Sequence, residues 1–402
     1  MNGSLLRKTK QYLHTLCADI PNRAVGSPGN IAATDFFKKT ISPLGWETVE
    51  DPLEAMDWDA GTADIKAGSE VLPVQASPYS NGCESDARLI CVSSLRELEA
   101  SHLSGKNVLL YGEIAREQLM PKNFVFYNPE DHMKIITLLE EKKPACIIAA
   151  TGRNSALAGG AYPFPLIEDG DFNIPSVYLT DIEGEHLRRF SGKTVNVRST
   201  ARRIPSKAYN ITALKKRGKK RIVISAHIDA KKGTPGAIDN ATGVTALLLL
   251  AELLSGYFGR YTLELVPFNG EDYYAVPGQM DFIRKNEGKF GDIALNINID
   301  GQGFRNGATS FSFHGLPKNY KSKIMEVING NDDAESGPWW PQGDHSIFVQ
   351  YGVPAVAVSS LWFISNMESQ AITHTAADNL EIVDYGKTLH AAEMIAEVIG
   401  KL

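Results

Sequence analysis

Cysteine is scarce in this chain of 402 residues: there are four, Cys17, Cys83, Cys91 and Cys146. None stands in a Cys-x-x-Cys pair or a Cys/His cluster, which argues against a zinc finger and a thioredoxin-type redox motif; four are also too few for a disulfide framework. Cys146, in ACIIAA, reads as inert packing in a buried strand. Long apolar runs are missing too. The longest, VTALLLLAELL, contains Thr245 and Glu252 and is too short to span a bilayer. An excess of positive charge is the third absence. With 41 Lys and Arg against 47 Asp and Glu the net charge is -6, which offers no general attraction to nucleic acid or to a membrane surface. The one basic cluster, KKRGKKR (Lys215 to Arg221), is flanked by two strand-like segments and reads as a solvated hairpin turn. The opening MNGSLLRKTKQYLHTL carries charges throughout and lacks the apolar region and cleavage site of a signal peptide, so the expected location is cytoplasmic.

What is present is a globular composition, 43% hydrophobic and 22% charged, long enough for two domains with cores of their own. Three stretches differ in character, and none contains an internal repeat. Residues 1 to about 60 read as a helix ending near Ala18, a turn-rich loop PNRAVGSPGN, a helix from about Ile31 to Thr40 and the start of a strand at GWETVE. From about 61 to 204 short strands dominate: NVLLYG, ACIIAAT, PSVYLT and KTVNVRS. Helical periodicity appears in HMKIITLLEEKK and IEGEHLRRFSG, and GGAYPFPLIEDGDFNIP is a long loop. The histidines of this stretch, His102, His132 and His186, stand alone and form no catalytic constellation.

From about 205 onward strands and helices alternate. The strands are RIVISAH, YTLELVPF, ALNINID, TSFSFHG and PAVAVSS. The helices are expected near Thr242–Ser255, Gly278–Asn286, Lys318–Asn329 and Asp384–Ile399. Nearly all-apolar strands alternating with helices predict an α/β fold with a mainly parallel sheet covered on both faces, and place the chemistry in loops at the carboxyl ends of the strands. The unusual polar residues fall in those loops. His227 and Asp229 follow RIVISA, Glu271 and Asp272 follow YTLELVPFNG, and Asp300 ends ALNINID. Asp344 and His345 precede PAVAVSS, His374 and Asp378 follow it, and Asp239 lies just before the helix at Thr242.

Taken singly, each has an ordinary reading: Asp239 as a helix cap, Asp300 as a turn residue before Gly301, His374 as a packed histidine. Together they cannot share a pocket as bare anions, because like charges repel and some would have to take up protons. Divalent cations remove that conflict. Imidazole with carboxylate suits zinc, and several carboxylates suit a pair of metals.

The set HID…PGAIDNATG…FNGED…NINIDGQG…GDHSIF…THTAADN, with RAVGSPGN near the start, resembles the zinc aminopeptidases of family M28. The resemblance implies a phosphorylase/hydrolase-like αβα sandwich with a mixed, mainly parallel central sheet, built from residues 1–60 and 205–402. The order LSGKNVLLYG…KPACIIAA…NIPSVYLT more loosely resembles a protease-associated (PA) domain, which implies a β-rich domain inserted at 61–204.

The resemblance further implies two zinc ions. Asp239 bridges them, His227 and Asp300 complete one, and Asp272 and His374 complete the other. Glu271 is the general base, and Asp229 supports the site beside His227. Asp344, His345 and Asp378 are second-line or loop-fixing residues. A cis peptide is expected between Asp239 and Asn240. Neighbours on a strand point to opposite faces, so Glu271 and Asp272 can both serve the site only if NGED has left strand geometry. The chain departs from the family's more common Glu-Glu pair with Glu271-Asp272, and it has Thr373 where some relatives have an oxyanion-holding tyrosine. Tyr273, Tyr274 or His345 are the candidates for that task, and Trp339 and Trp340 for the substrate pocket or for loop packing.

The expected activity is hydrolysis of the N-terminal peptide bond of peptides. The alternatives are carboxypeptidase chemistry with Arg305 or Arg153 as the carboxylate partner, glutaminyl-cyclase-like chemistry, and a non-catalytic binding protein on a degenerate peptidase fold. The peptide is the expected partner, and the sequence does not set the oligomeric state.

Overall fold

The computed structural model describes residues 2–20, 22–154, 160–367 and 369–402. Pro21 of the expected PNRAVGSPGN loop and Gly159 of the long Gly/Pro-rich loop lie outside them. The chain forms two compact units: Met1–Ala55, Lys207–Met367 and Ile372–Leu402 make the first, and Met56–Ser206 with Glu368–Ala371 the second.

The first unit is organised by four parallel strands. Arg221–His227 pairs in parallel with Thr262–Phe268 on one side and Ile293–Ile299 on the other, and Ile293–Ile299 pairs in parallel with Ala355–Ser360. All four end at the same edge, at His227, Phe268, Ile299 and Ser360. The sheet is mixed beyond them: Arg202–Lys215 is antiparallel to Thr262–Phe268, and Thr309–His314 is antiparallel to Ala355–Ser360. Glu47–Asp59 is the edge strand on one side and Ala334–Ser336 on the other. The edge position suits Glu47–Asp59, whose Pro52 cannot donate to a ladder and whose many acids suit solvent.

The two faces of this sheet differ in chemistry. One is wholly apolar. Ile222, Ile224, Leu263, Leu265, Leu295, Ile297, Val356 and Val358 share a core with the helices Asn2–His14, Pro28–Ile41, Thr242–Leu253, Lys318–Asn329 and Tyr385–Lys401. Thr242–Leu253 is buried on every side through Ala251, which explains its unbroken leucines: a helix apolar all round belongs inside. The other face carries polar groups beneath the shared strand edge. Ser225 Oγ donates to Asn298 Oδ1 at 2.8 Å, and Asn296 Nδ2 donates to Ser225 Oγ at 3.0 Å. It is also held by Phe268, which packs with Phe282 of helix Pro277–Lys285 and Phe348 of helix His345–Gln350.

One expectation fails here. The basic run Lys215 to Arg221 is not a hairpin turn, because its flanking strands do not pair; Thr262–Phe268 lies between them. The run is a crossover connection. Its middle residues are exposed, with Lys216 paired to Glu47 and Arg217 donating to the Tyr257 carbonyl.

The second unit has its own eight-stranded sheet, with Thr194–Ser199, Cys83–Val92, Asn107–Leu110, Cys146–Thr151 and Ser176–Thr180 as consecutive neighbours. Helices Leu95–Ala100 and Glu130–Lys142 pack with one apolar cluster, and helix Asp181–Arg188 contributes Leu187 to another. Among the described residues no helix is long and apolar enough to cross a membrane.

Candidate metal centre

Each candidate ligand is placed by a strand end or by a loop tied to one. His227 closes the strand Arg221–His227. Its Nδ1 lies 3.2 Å from the backbone carbonyl oxygen of Asp229. A proton on Nδ1 donated there leaves Nε2 with a free lone pair, the form that binds a metal. Nε2 lies 3.0 Å from Oδ1 of Asp239 and 3.4 Å from Oδ1 of Asp300.

Asp239 comes from the turn before helix Thr242–Leu253, and its peptide bond to Asn240 is cis, as expected. Asp378 holds this turn from behind: its two carboxylate oxygens accept from the amides of Ile238, at 2.7 Å, and Asp239, at 3.0 Å. Asn240 Nδ2 donates to the carbonyl of Ile299, which fixes the turn to the strand end preceding Asp300. The other oxygen of Asp239, Oδ2, lies 3.2 Å from Nε2 of His374, and that nitrogen lies 2.8 Å from Oδ1 of Asp272. His374 adopts a left-handed backbone, φ 63.

Asn269, Gly270, Glu271 and Asp272 have left strand geometry, and Gly270 adopts φ 129. The carboxylate of Asp229 organises this turn. It accepts from the amides of Gly270 at 2.8 Å, Glu271 at 3.2 Å and Asp272 at 3.0 Å. The nearest carboxylate oxygen of Asp229 is 3.8 Å from His227 Nδ1, so the residue supports that imidazole chiefly through its backbone carbonyl. Asn269 is clamped by a reciprocal pair of amide hydrogen bonds with Asn30, at 2.8 and 2.9 Å. Asn30 lies in the first turn of helix Pro28–Ile41, whose N-cap is Ser27; this is how the loop RAVGSPGN reaches the centre.

Ligand atoms lie within 4.8 Å of one another in the set His227, Asp239 and Asp300, in the set Asp239, Asp272 and His374, and in the set His227, Glu271 and Asp272. His227 Nε2 and Asp272 Oδ2 are buried yet lack hydrogen-bond geometry to any partner among the described residues. Close approach without hydrogen bonding is what a shared cation between these atoms requires, and imidazole with carboxylate fits zinc.

The charges are strongly coupled. Burial opposes protonation of His227 and His374, but the neighbouring carboxylates win and hold both imidazoles well above their usual range. Burial would raise Asp239 and Asp272 as well; the histidines outweigh it and hold both below the ordinary carboxylate range. Glu271 is pushed well above its usual range by burial and by the charges of Asp272, Asp300 and Asp344. Burial raises Asp344 and Asp378 to about 7, the second with help from Asp239.

Two structural residues of the centre carried no assigned role in the sequence. Arg23 is fully buried and donates to the carbonyls of Leu16, Ile228, Pro235 and Gly236, at 2.7 to 3.0 Å. It thereby ties the loop after His227 to the loop before Asp239. Gln279 donates to Asp344 at 2.8 Å. Of the residues left open, His345 is buried with Nε2 3.1 Å from the Trp340 carbonyl, and burial lowers it to about 4. Tyr273 is buried with its ring 4.5 Å from that of Tyr274. Trp340 is buried and Trp339 is 68% exposed, so only the second has a free face to offer. Arg305 is exposed, and Arg153 stacks over Tyr162 in the second unit.

Residues 210–399 match Peptidase family M28. The fold is similar to that of an aminopeptidase from Aneurinibacillus sp. strain AM-1, with a TM-score of 0.76 and 19% identity, over 98% of this chain and 93% of that one. It is also similar to BSAP, a zinc aminopeptidase from Bacillus subtilis, with a TM-score of 0.73 and 15% identity, over 98% and 94%. In sequence the chain is 25% identical over 291 residues to the probable lipoprotein aminopeptidase LpqL of Mycobacterium tuberculosis. That match takes in 69% of this chain and 54% of the relative, so the chain spans about half of LpqL's length.

Proposed function

We propose that the chain, whose residues 210–399 match peptidase family M28, is a metal-dependent aminopeptidase that removes the N-terminal residue of peptides. The observation that carries this reading is the pair of three-residue sets that share Asp239 and divide its two oxygens between His227 and His374. Two zinc ions would fit it: His227, Asp239 and Asp300 would hold one, and Asp239, Asp272 and His374 the other. When bound, such ions supply Lewis acidity that activates water and stabilises negative charge on the substrate carbonyl.

The remaining work belongs to the chain. Glu271 takes a proton from the attacking water and returns it to the departing amine. Desolvation in the site, which raises its carboxyl well above the usual range, supports this role, because a more basic carboxylate is a better proton acceptor. Asp229 holds the Gly270–Asp272 amides so that Glu271 and Asp272 present to the same centre despite being neighbours. Asp378 does the same for Asp239. The second unit reads as PA-like from the order of its strands and helix.

Two sets sharing one carboxylate favour a paired centre over the single zinc of a cyclase. A carboxypeptidase needs a cation for the free carboxylate; of the two arginines considered for it, Arg305 is exposed and Arg153 stacks over Tyr162 in the second unit. A dead binding fold is disfavoured by the retention of every ligand position and of the base.

The test is metal analysis combined with a panel of aminoacyl chromogenic substrates and their N-blocked counterparts. Cleavage of free-amine substrates alone, abolished by a chelator and restored by zinc, is expected. Equal cleavage of blocked substrates would remove the aminopeptidase assignment.

A further inference from the structure

The second unit contains a pair of thiols that the proposed peptidase chemistry does not use. Cys83 opens the strand Cys83–Val92, and Cys146 opens the strand Cys146–Thr151. These strands are not neighbours; Asn107–Leu110 lies between them. Their sulfurs nevertheless approach to 3.7 Å.

The approach is built by the surrounding chain. Asn107 pairs with Cys146 in the parallel register, and its side chain reaches back to the first half of the other strand. It accepts from Ser85 Oγ at 2.7 Å and donates to the carbonyl of Val195 at 3.0 Å. Ser85 and Cys83 are two positions apart on one strand and so share a face. The bond that anchors Ser85 over Asn107 therefore carries Cys83 over Cys146. Cys83 packs at the margin of the apolar cluster that contains Cys146, Ile148 and Val197. It is half-buried, whereas Cys146 is fully buried.

We propose that Cys83 and Cys146 are a site of reversible oxidation, at which a hydroperoxide converts the two thiols to a disulfide that staples the beginnings of these strands. The Cys83 thiolate attacks the O–O bond of the hydroperoxide, giving a Cys83 sulfenic acid and releasing water or an alcohol. The Cys146 sulfur then attacks the Cys83 sulfur, forming the S–S bond and expelling the hydroxyl group, which leaves as water with the Cys146 proton. Two thiols are oxidised and one peroxide is reduced.

The division of labour agrees with the surroundings. The hydrogen bond between the two sulfurs lowers Cys83 below the ordinary thiol range, which favours thiolate on the half-buried partner. Cys146 is held well above that range by the same bond and by burial, so it retains the proton to be lost in the second step. Cys91 and Cys17 are both raised by burial, and among the described residues neither has a hydrogen-bonded sulfur partner. The site rests on residues of the second unit and stands or falls independently of the peptidase assignment.

The experiment uses the full chain, reduced and then treated with hydrogen peroxide. Intact mass is read under non-reducing conditions, and peptides are mapped after alkylation. The expected product is about 2 Da lighter than the reduced chain. It has a Cys83–Cys146 cross-linked peptide, alkylatable Cys17 and Cys91, and full return to four thiols with a reductant. Cys83→Ser and Cys146→Ser should each abolish the cross-link, and Cys91→Ser should leave it intact. A stapled second unit should melt several degrees higher than the reduced one, and that shift should be missing in Cys83→Ser. Stepwise oxidation of Cys83 to sulfinic and sulfonic acid while Cys146 stays alkylatable would overturn the proposal. A cross-link that persists in Cys83→Ser would do so as well.

Discussion

Oδ2 of Asp239 lies 3.2 Å from Nε2 of His374, although the two residues come from opposite ends of the catalytic-type sequence. Oδ1 of the same carboxylate faces His227, so Asp239 is the hinge between two potential cation positions. Its removal should therefore differ in kind from removal of an outer ligand. Asp239→Ala is expected to lose both metal equivalents. Asp300→Ala and Asp272→Ala should each lose one and keep the other. Metal per chain after dialysis, with circular dichroism to confirm folding, decides this. Loss of one equivalent from all three variants would show that Asp239 does not bridge.

Asp229 acts through the backbone it holds. Its two oxygens accept three successive amides at Gly270, Glu271 and Asp272, and asparagine can offer only one accepting oxygen there. Its amide group would turn an N–H toward another N–H. Asp229→Asn should weaken metal binding by about 10- to 100-fold and reduce turnover by a similar factor. The readout that distinguishes positioning from simple destabilisation is metal titration at a temperature where the variant remains folded. Wild-type affinity there would remove Asp229 from the centre.

The strands and the ligand candidates were legible because both have strong one-dimensional signatures. RIVISAH is the strand Arg221–His227 residue for residue, and the helix Lys318–Asn329 falls at its expected bounds. Unbroken apolar runs ending in His, Asp or Glu reveal a buried parallel sheet with chemistry at one edge. What escaped has no such signature. Cys83–Val92 mixes Glu84, Asp86 and Arg88 with apolar residues, and its half-exposed pattern hides a strand. The pairing of strands around Lys215 to Arg221 depends on Thr262–Phe268 inserting between them, which no local property of the basic run records. The work of Asp229 and Arg23 lies in bonds to distant backbone groups, and backbone groups are the same whatever the sequence.

Arg23 supplies the clearest test of that hidden layer. The carbonyls of Leu16, Ile228 and Pro235 accept from one guanidinium, as does that of Gly236, which also accepts from the Ala241 amide. Arg23→Met keeps much of the volume and removes every donor. Buried carbonyls left without partners cost about 1–3 kcal/mol each when water cannot reach them, so a loss of about 3 kcal/mol or more is expected. Urea unfolding of the metal-free protein measures it without confusion from metal loss. A change under about 0.5 kcal/mol, the usual size for a surface substitution, would show that water replaces the side chain.

The buried acids predict how stability and metal binding respond to pH. Asp344 and Asp378 are raised by burial to about 7. In the unfolded chain they titrate near about 3.9. The folded state therefore binds more protons than the unfolded one across this interval. The resulting stabilisation is complete below the unfolded value and is lost as pH rises through 7. For chelator-treated protein the melting temperature should fall between pH 5 and 8. Added zinc should raise it more at pH 8 than at pH 5, since metal and protons compete for the same negative charge. Scanning fluorimetry with and without zinc supplies both curves. A melting temperature that climbs with pH in the chelated protein would contradict the raised values.

On the proposed reading, Glu271 differs from its neighbour Asp272 in that turnover needs it and metal retention does not. Its carboxylate belongs to the set with His227 and Asp272 but to neither set that contains Asp239. Glu271→Gln keeps the shape and the hydrogen-bonding reach while removing the ability to accept and return a proton. Metal content and melting temperature should stay close to those of the wild type, and turnover should fall by about 10²–10⁴ or more, the contribution of a positioned acid–base group. The loss should appear in kcat with KM little changed, because the proton transfer takes place in the transition state and not on binding. Metal content and kcat measured on the same preparation make the test decisive. Near-normal turnover in a fully loaded Glu271→Gln protein would mean that the proton is carried by another group.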